Sequence, residues 1–278
     1  MIQYKKIKQI SPELTLSYYN QIPVLELNHP HLGEAKVALQ GAQLLSWKPK
    51  SEQQDILWLS PIEPFLLGQA IRGGIPICYP WFGATKKPIH GTARLALWKL
   101  SHFDIDIDID IEHARIELVL LDQQHIVEAK IVMLFSEKCE LIFTHYGKQA
   151  AQAAFHTYFH VGNIEQVEIT HLPTVCFNAV TQQQEQVPSS RRITQHTDCI
   201  YTLEAPTNYI LDHQFNRQIE VTHQNATETV LWNPWHSVMS AMQEQDYQNM
   251  LCLETARIYQ LLHFGESIRV TLARKKSN

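Results

Sequence analysis

Two residues with acid and base side chains stand in apolar surroundings. Glu254 lies in the apolar run LCLETA, where a carboxylate is costly to bury unless it faces a cleft or a partner. His156 lies among aromatic residues in FHTYF. A carboxylate and an imidazole that meet at one site could act as base and acid in proton transfer. Taken singly, Glu254 could instead form a salt bridge, and His156 could be a hydrogen-bonded core residue.

Residues 71–83, with the sequence IRGGIPICYPWFG, have the composition of a rigid, irregular loop. Glycine permits backbone conformations that other residues avoid, whereas proline fixes φ and removes a hydrogen-bond donor. The segment HGTAR follows at residues 90–94. Loops of this kind commonly shape a binding site, although the same composition would suit a packed corner between sheets.

The elements that position these residues are predicted to be β-strands. The clearest is FDIDIDIDI at residues 103–111, where apolar and acidic residues alternate with the period of a half-buried strand. The acidic side chains are expected on the solvated face, where like charges also discourage pairing of strand edges. They are Asp104, Asp106, Asp108 and Asp110. A calcium site built from these carboxylates is the alternative.

Further runs with strand composition recur along the chain. They are ARIELVLL, IVEAKIVMLF, CELIFTHY, QVEITHL, DCIYTL, RQIEVTH, ETVLWN, MLCLET and SIRVTLA. Since no ten-residue amphipathic helix alternates with them, they predict an all-β fold, a large antiparallel β-sandwich with few short helices. Helix is expected only in connectors such as parts of residues 55–69. No linker composition interrupts the chain, so residues 1–278 are predicted to form a single domain.

Composition and charge argue against several classes of protein. The 278 residues are 45% apolar and 18% charged, with a formal net charge of −5 and no basic stripe, so we expect no nucleic-acid partner. The sequence has no apolar run near the roughly 20 residues that span a bilayer, and its N-terminal residues lack a signal-peptide core. Five cysteines without a CxxC pair indicate reduced thiols. We expect a cytoplasmic protein with no membrane partner, as a monomer or weak dimer.

Several chemically unusual blocks occur in order between Leu39 and Ile258. They are LQGAQLLSW, RGGIPICYPWFG, HGTARLALW, FHTYFHVGNIEQVEI, LWNPW and LCLETARI. In these blocks the chain resembles the hexose-6-phosphate mutarotase branch of the aldose 1-epimerase family. The resemblance implies the supersandwich fold of galactose mutarotases. It also implies an isomerase that interconverts the α and β anomers of a hexose 6-phosphate, with glucose 6-phosphate as the expected substrate.

The resemblance further implies roles for particular residues. The family's catalytic histidine matches His156 and its catalytic glutamate matches Glu254, which we assign as acid and base. The substrate-binding positions of the family match Arg72, His90, Arg94 and, through a weaker local match, Asp198. Arginine presents a fork of donors suited to phosphate oxygens, so the two arginines are the candidates for the phosphate group. Each arginine could instead belong to an ordinary ion pair.

Anomer interconversion opens the sugar ring and recloses it after rotation about a carbon bond. It needs a base for the anomeric hydroxyl and an acid for the ring oxygen, and it requires neither a metal nor a redox cofactor. The chain carries no nucleotide fingerprint and no HExxH motif, so no cofactor is predicted. His160 follows His156 by four residues, but a strand or loop there would not place both on one helical face. We therefore predict no metal site.

Some features leave alternatives open. Ile89 stands where the family can carry glutamine, which would remove one polar contact to a sugar hydroxyl. Tryptophans could stack on a sugar or lie in the core; these are Trp81, Trp232 and Trp235. The chain could be an aldose 1-epimerase for unphosphorylated sugars, or a carbohydrate-binding β-sandwich protein without turnover. Hydrolysis of a glycoside is disfavoured because it would normally need a second carboxylate across the bond.

Overall fold

The computed structural model describes residues 2–107 and 112–276. Its strands are β1 (Tyr4–Gln9), β2 (Leu14–Tyr19), β3 (Ile22–His29), β4 (Gly33–Ala38), β5 (Gln43–Pro49), β6 (Ile77–Cys78), β7 (Lys99–Ile107), β8 (Glu112–Leu121), β9 (Val127–Phe135), β10 (Lys138–His145), β11 (Ala151–Phe155), β12 (Tyr158–His160), β13 (Val167–Thr170), β14 (Val175–Asn178), β15 (Gln183–Gln186), β16 (Thr197–Thr202), β17 (Thr207–Asp212), β18 (Arg217–Gln224), β19 (Glu228–Asn233), β20 (Met250–Leu262) and β21 (Ser267–Lys276). Short 3-10 helices cover Ala93–Leu95, Ile164–Gln166 and Asp246–Asn249.

The strands form antiparallel sheets. One sheet has the order β1-β2-β3-β4-β5, and a second has the order β13-β17-β18-β21-β10-β9-β8-β7. The third has the order β15-β14-β16-β19-β20-β11-β6, with β12 paired to β20 beside this path. The nine strand runs predicted from composition coincide with β8, β9, β10, β13, β16, β18, β19, β20 and β21. The prediction of an all-β antiparallel fold is confirmed.

Two local expectations have different outcomes. The prediction of helix within residues 55–69 is wrong, because Leu57 forms an isolated β-bridge with Phe159 and Leu59 forms one with Gly73. In the alternating acidic run, β7 extends to Ile107 and Asp104 is exposed. The side chain of Asp106 and all of Asp108 and Asp110 lie outside what the structure describes.

Within residues 2–107 and 112–276, no helix is long and apolar enough to cross a membrane.

One apolar core takes buried side chains from all three sheets, among them Leu25, Phe143 and Leu253. Burying a side chain of this size contributes about 2 kcal/mol. The central strand β20 is buried along both faces over most of its length. Because alternate side chains of a strand point to opposite faces, Leu251 and Leu253 enter this core while Cys252 and Glu254 point away from it. The strand therefore carries a buried glutamate on the face opposite the main core.

Candidate active site

A cleft on that face of β20 consists of two adjoining cavities. The first, about 570 Å³, is lined by Arg72, Arg94, Tyr158 and Ser240, among other residues, and is called here the arginine lobe. The second, about 720 Å³, is lined by Asp198, Trp232 and Glu254, among others, and is called the carboxylate lobe. Five residues line both cavities and join them; these are Arg72, Ile89, His90, His156 and Met239.

The floor of the carboxylate lobe follows from strand register. Asp198 on β16 lies opposite Trp232 on β19, and Trp232 lies opposite Cys252 on β20. One step further along the same face, Val230 lies opposite Glu254. Directly opposed residues of antiparallel strands project to the same side of the sheet. Three strands distant in sequence therefore place an acidic residue, a tryptophan and a second acidic residue on one surface.

His156 comes from the two-residue connection between β11 and β12, and its backbone N–H donates to the Pro76 carbonyl at 2.9 Å. Its Nε2 lies 3.5 Å from Oε1 of Glu254. As whole residues, His156 is 8% exposed and Glu254 is 1% exposed. Among the described residues, neither Nδ1 of His156 nor Oε2 of Glu254 has a hydrogen-bond partner. The pair is thus buried with two polar atoms that no described protein group satisfies.

Burial governs the protonation of this pair. It raises the pKa of Glu254 well above its ordinary value, and the nearby charge of Asp198 raises it further. It lowers the pKa of His156 well below its ordinary value, with further lowering from His90, Arg72 and Arg94. Both directions favour the uncharged forms, in which the pair holds one proton on the carboxyl group. When that proton sits on His156 instead, the carboxylate is a strengthened base and the imidazolium a strengthened acid.

His90 stands at the junction of the two lobes with a positive φ of 62°. The backbone N–H of Gly83 donates to its Nδ1 at 3.2 Å. A neutral imidazole that accepts at Nδ1 carries its proton on Nε2. Burial, with help from the charges of Arg94 and Arg72, lowers the pKa of His90 to about 3. At neutral pH it is therefore an uncharged hydrogen-bond donor, and its ring packs edge-on against His156 with centroids 5.4 Å apart.

The two arginines of the arginine lobe are held differently. Arg72 donates from Nη1 to the Tyr158 hydroxyl at 2.9 Å and from Nε to the Ser240 carbonyl at 3.2 Å. Arg94, in the short helix Ala93–Leu95, donates from Nη2 to the Ile89 carbonyl at 2.6 Å. Its buried Nε has no partner among the described residues. Each guanidinium keeps N–H donors that no protein group in the described part of the chain accepts from, so this lobe can bind an anion.

The structure brings together in one cleft the six residues singled out in the sequence; these are Arg72, His90, Arg94, His156, Asp198 and Glu254. Of the three tryptophans considered, Trp232 lines this cleft. Trp81 instead donates from its indole to the Pro88 carbonyl, and Trp235 packs on Tyr247. His160 lies apart from His156, with its ring against Phe215.

Sequence reasoning missed Tyr158, Met239 and Ser240, which also line the cleft. Tyr158 stands inside the FHTYF block and could have been noticed there as a second polar group near His156. Ser240 gave no signal, because it reaches Arg72 across 168 residues of sequence. Only the fold reveals that contact.

Comparison with known proteins gives consistent matches along almost the whole chain. The model of the aldose 1-epimerase family matches residues 23–275. A Haemophilus influenzae protein with the provisional name glucose-6-phosphate 1-epimerase is 51% identical over 269 residues, covering 97% of this chain and 98% of that protein. An Escherichia coli K12 protein with the same provisional name is 34% identical over 283 residues, covering 95% and 96% respectively. A crystal structure from Salmonella typhimurium, provisionally titled a mutarotase, has a TM-score of 0.90 at 29% identity, covering 98% of this chain and 97% of that one.

Proposed function

Because this chain belongs to the aldose 1-epimerase family, we propose that it interconverts the α and β anomers of a hexose 6-phosphate, with glucose 6-phosphate as substrate. The substrate follows the provisional names of the Haemophilus influenzae and Escherichia coli relatives. The single observation that carries the proposal is the buried His156–Glu254 pair at 3.5 Å, in a cleft that also contains two arginines. A site that only binds sugar does not need that acid and base.

In the proposed reaction, the pair reacts in the form that has its proton on His156. The Glu254 carboxylate removes the proton of the anomeric hydroxyl while the His156 imidazolium donates its proton to the ring oxygen. The bond between the anomeric carbon and the ring oxygen breaks, and the anomeric carbon becomes an aldehyde. Rotation about the neighbouring carbon bond exposes the other face, and the reverse transfers close the ring. The proton count of the pair is the same before and after ring opening. The burial that raises the pKa of Glu254 and lowers that of His156 favours the transfer in the opening direction.

The neighbouring residues orient the sugar. His90, neutral with its proton on Nε2, donates a hydrogen bond to a sugar oxygen near the ring oxygen. Asp198, whose pKa is raised by burial, accepts from a sugar hydroxyl in the carboxylate lobe. The Trp232 ring offers an apolar surface against which a sugar face can pack. These contacts hold the anomeric carbon beside the acid and base.

The phosphate group lies in the arginine lobe. Arg72 and Arg94 both line it and retain free donors, and a guanidinium matches phosphate oxygens in geometry and charge. The two lobes meet at His90 and His156, so a sugar whose ring lies in one lobe can extend its phosphate into the other. This arrangement supports a phosphorylated substrate over a free aldose.

The shared core bears on the number of domains. We propose that residues 1–278 fold as one domain, because a single apolar core takes side chains from all three sheets. The six residues assigned to the reaction and to substrate binding all line one cleft of this domain.

The proposal is tested by magnetisation-exchange NMR on the two anomers of glucose 6-phosphate. Free glucose and galactose serve as parallel samples, and Glu254→Gln serves as the inactive control. We expect accelerated exchange for the phosphate ester, lost in the variant. Equal acceleration of free sugars would move the assignment to an unphosphorylated-sugar epimerase. Binding of glucose 6-phosphate without any acceleration would identify a carbohydrate-binding protein instead.

A further inference from the structure

Ser240 holds the side chain of Arg72 from the far side of the arginine lobe. Its carbonyl accepts from Nε of Arg72 and its hydroxyl oxygen accepts from Nη2, each at 3.2 Å. The structure gives the Ser240 hydroxyl no acceptor of its own among the described residues. A serine hydroxyl has one proton to donate as well as lone pairs to accept. No described protein group therefore accepts the proton of Ser240, an exposed residue that lines the lobe.

The donors of Arg72 restrict where an anion can meet it. Nε is occupied by the Ser240 carbonyl, while Nη1 and Nη2 each have one hydrogen engaged, by Tyr158 and Ser240 respectively. Each terminal nitrogen of a guanidinium carries two hydrogens, so one on each remains for a ligand. Because the two hydrogens of Nη2 point in different directions, an oxygen that binds the free one lies roughly 5 Å from the Ser240 oxygen. A neighbouring oxygen of the same phosphate group can reach the Ser240 hydroxyl across that gap.

The segment that carries Ser240, residues 236–241, is fixed at both ends. Asn233 accepts from the Trp235 backbone N–H at 2.8 Å and donates to the Tyr247 carbonyl at 2.9 Å. Beyond the segment, the carboxylate of Asp246 accepts from the Gln243 backbone N–H at 2.7 Å. Trp235 and Ala241 have φ values of 52° and 54°, which residues other than glycine seldom adopt. These anchors set the position of Ser240 relative to the lobe.

We propose that Ser240 is a further phosphate-binding residue. Its hydroxyl accepts from Arg72 and donates its proton to a second oxygen of the phosphate group that binds the same guanidinium. The inference rests on the proposed function, since it identifies a specificity-determining contact for the phosphorylated sugar. Phosphate oxygens are strong acceptors, and hydrogen bonds to a charged group are about twice as strong as neutral ones.

The experiment measures the dissociation constant of inorganic phosphate at about pH 8 by calorimetry, and separately KM and kcat for glucose 6-phosphate. The variants are Ser240→Ala, which removes the hydroxyl, and Ser240→Thr, which keeps one. The matched control is Ser237→Ala, because Ser237 is an exposed serine of the same segment whose hydroxyl contacts His196. We expect Ser240→Ala to weaken phosphate binding and raise KM by about tenfold, with a smaller effect on kcat. Ser240→Thr, which keeps a hydroxyl, should retain more phosphate affinity than Ser240→Ala, and the Ser237→Ala control should bind phosphate as the wild type does.

Three results would overturn the inference. They are unchanged phosphate affinity in Ser240→Ala, an equal loss in Ser237→Ala, and a wild-type protein that binds no phosphate. Phosphate binding does not depend on turnover, so the two proposals fail separately. Hydroxyl-dependent phosphate binding without anomer exchange would overturn the proposed function alone.

Discussion

The rings of His156 and Tyr158 stack face to face, with centroids 4.9 Å apart and planes 12° apart. The hydroxyl of the same tyrosine accepts a hydrogen bond from Arg72 at 2.9 Å. One buried side chain thus contacts both the assigned acid and an arginine assigned to the phosphate. Its apolar ring fixes the imidazole from one side, and its polar tip fixes the guanidinium. The two proposed roles, phosphate binding by Arg72 and proton donation by His156, therefore share one supporting side chain.

Substitutions at Tyr158 can separate its hydrogen bond to Arg72 from its stacking on His156. Tyr158→Phe removes the hydrogen bond to Arg72 but keeps the stacked ring, so we expect KM for glucose 6-phosphate to rise about threefold to tenfold with a smaller change in kcat. Tyr158→Leu also removes the stacking and should lower kcat. Steady-state kinetics of both variants, beside Arg72→Ala, provide the measurement. An unchanged KM in Tyr158→Phe would contradict the role of the hydroxyl.

Removing either member of the pair should stop turnover without unfolding the protein. Glu254→Gln keeps the side-chain volume but cannot accept a proton, and His156→Ala removes the acid. We expect each to lower kcat by about 100-fold to 10,000-fold. Exchange NMR measures the rate, and circular dichroism with thermal unfolding checks the fold. A variant with near-normal turnover would reject the assigned role of that residue.

The negative charge of Asp198 should affect the pH dependence of kcat/KM. Burial is the main cause of the raised pKa of Glu254, and Asp198 is the second. Removing that charge in Asp198→Asn should lower the pKa of Glu254. The alkaline limb of kcat/KM, where the pair loses its shared proton, should therefore move to lower pH.

This limb is measured between about pH 7 and about pH 10, above the titration of a phosphate ester near pH 6. Asp104→Asn, at an exposed position on β7, is the matched control and should leave the limb in place. A limb that stays fixed or moves upward in Asp198→Asn would contradict the coupling between the two carboxyl groups.

A buried histidine outside the cleft should make stability depend on pH. His223 is hydrogen-bonded to the Thr255 hydroxyl at 2.7 Å and to the Asn208 amide oxygen at 3.0 Å. Burial lowers its pKa from 6.5 to about 4. Because the unfolded chain binds this proton more readily, the stabilisation is complete above pH 6.5 and is lost as the pH falls towards 4. The loss amounts to about 3 kcal/mol.

Urea unfolding at about pH 7 and about pH 4 checks this expectation. His223→Gln should lose less unfolding free energy between the two pH values than the wild type, because its side chain does not titrate. His102→Gln, at an exposed position on β7, should lose as much as the wild type. Equal losses in all three proteins would show that His223 does not carry the effect.

Many of the strands can be predicted from the sequence because a strand is indicated by a short local pattern of apolar and polar residues. Alternation along RQIEVTH gives β18 with Ile219, Val221 and His223 directed inwards, and the run MLCLET gives a central strand buried on both faces. Polar strands such as β15, with the sequence QQEQ, carry no such signature because their pairing alone makes them strands. The bridges of Leu57 and Leu59 are hidden for the same reason.

For the site, short segments of the sequence indicated candidate residues with suitable chemistry. Glu254 in an apolar strand, His156 among aromatics, and arginines beside glycine-rich loops were recognisable because burial cost, donor geometry and motif order are properties of short segments. How these residues lie relative to one another became visible in the folded protein. The 3.5 Å separation in the pair, the support from Tyr158 and the contact of Ser240 with Arg72 depend on strand register and loop packing. Those distances arise when segments up to 168 residues apart meet, and local sequence cannot encode them residue by residue.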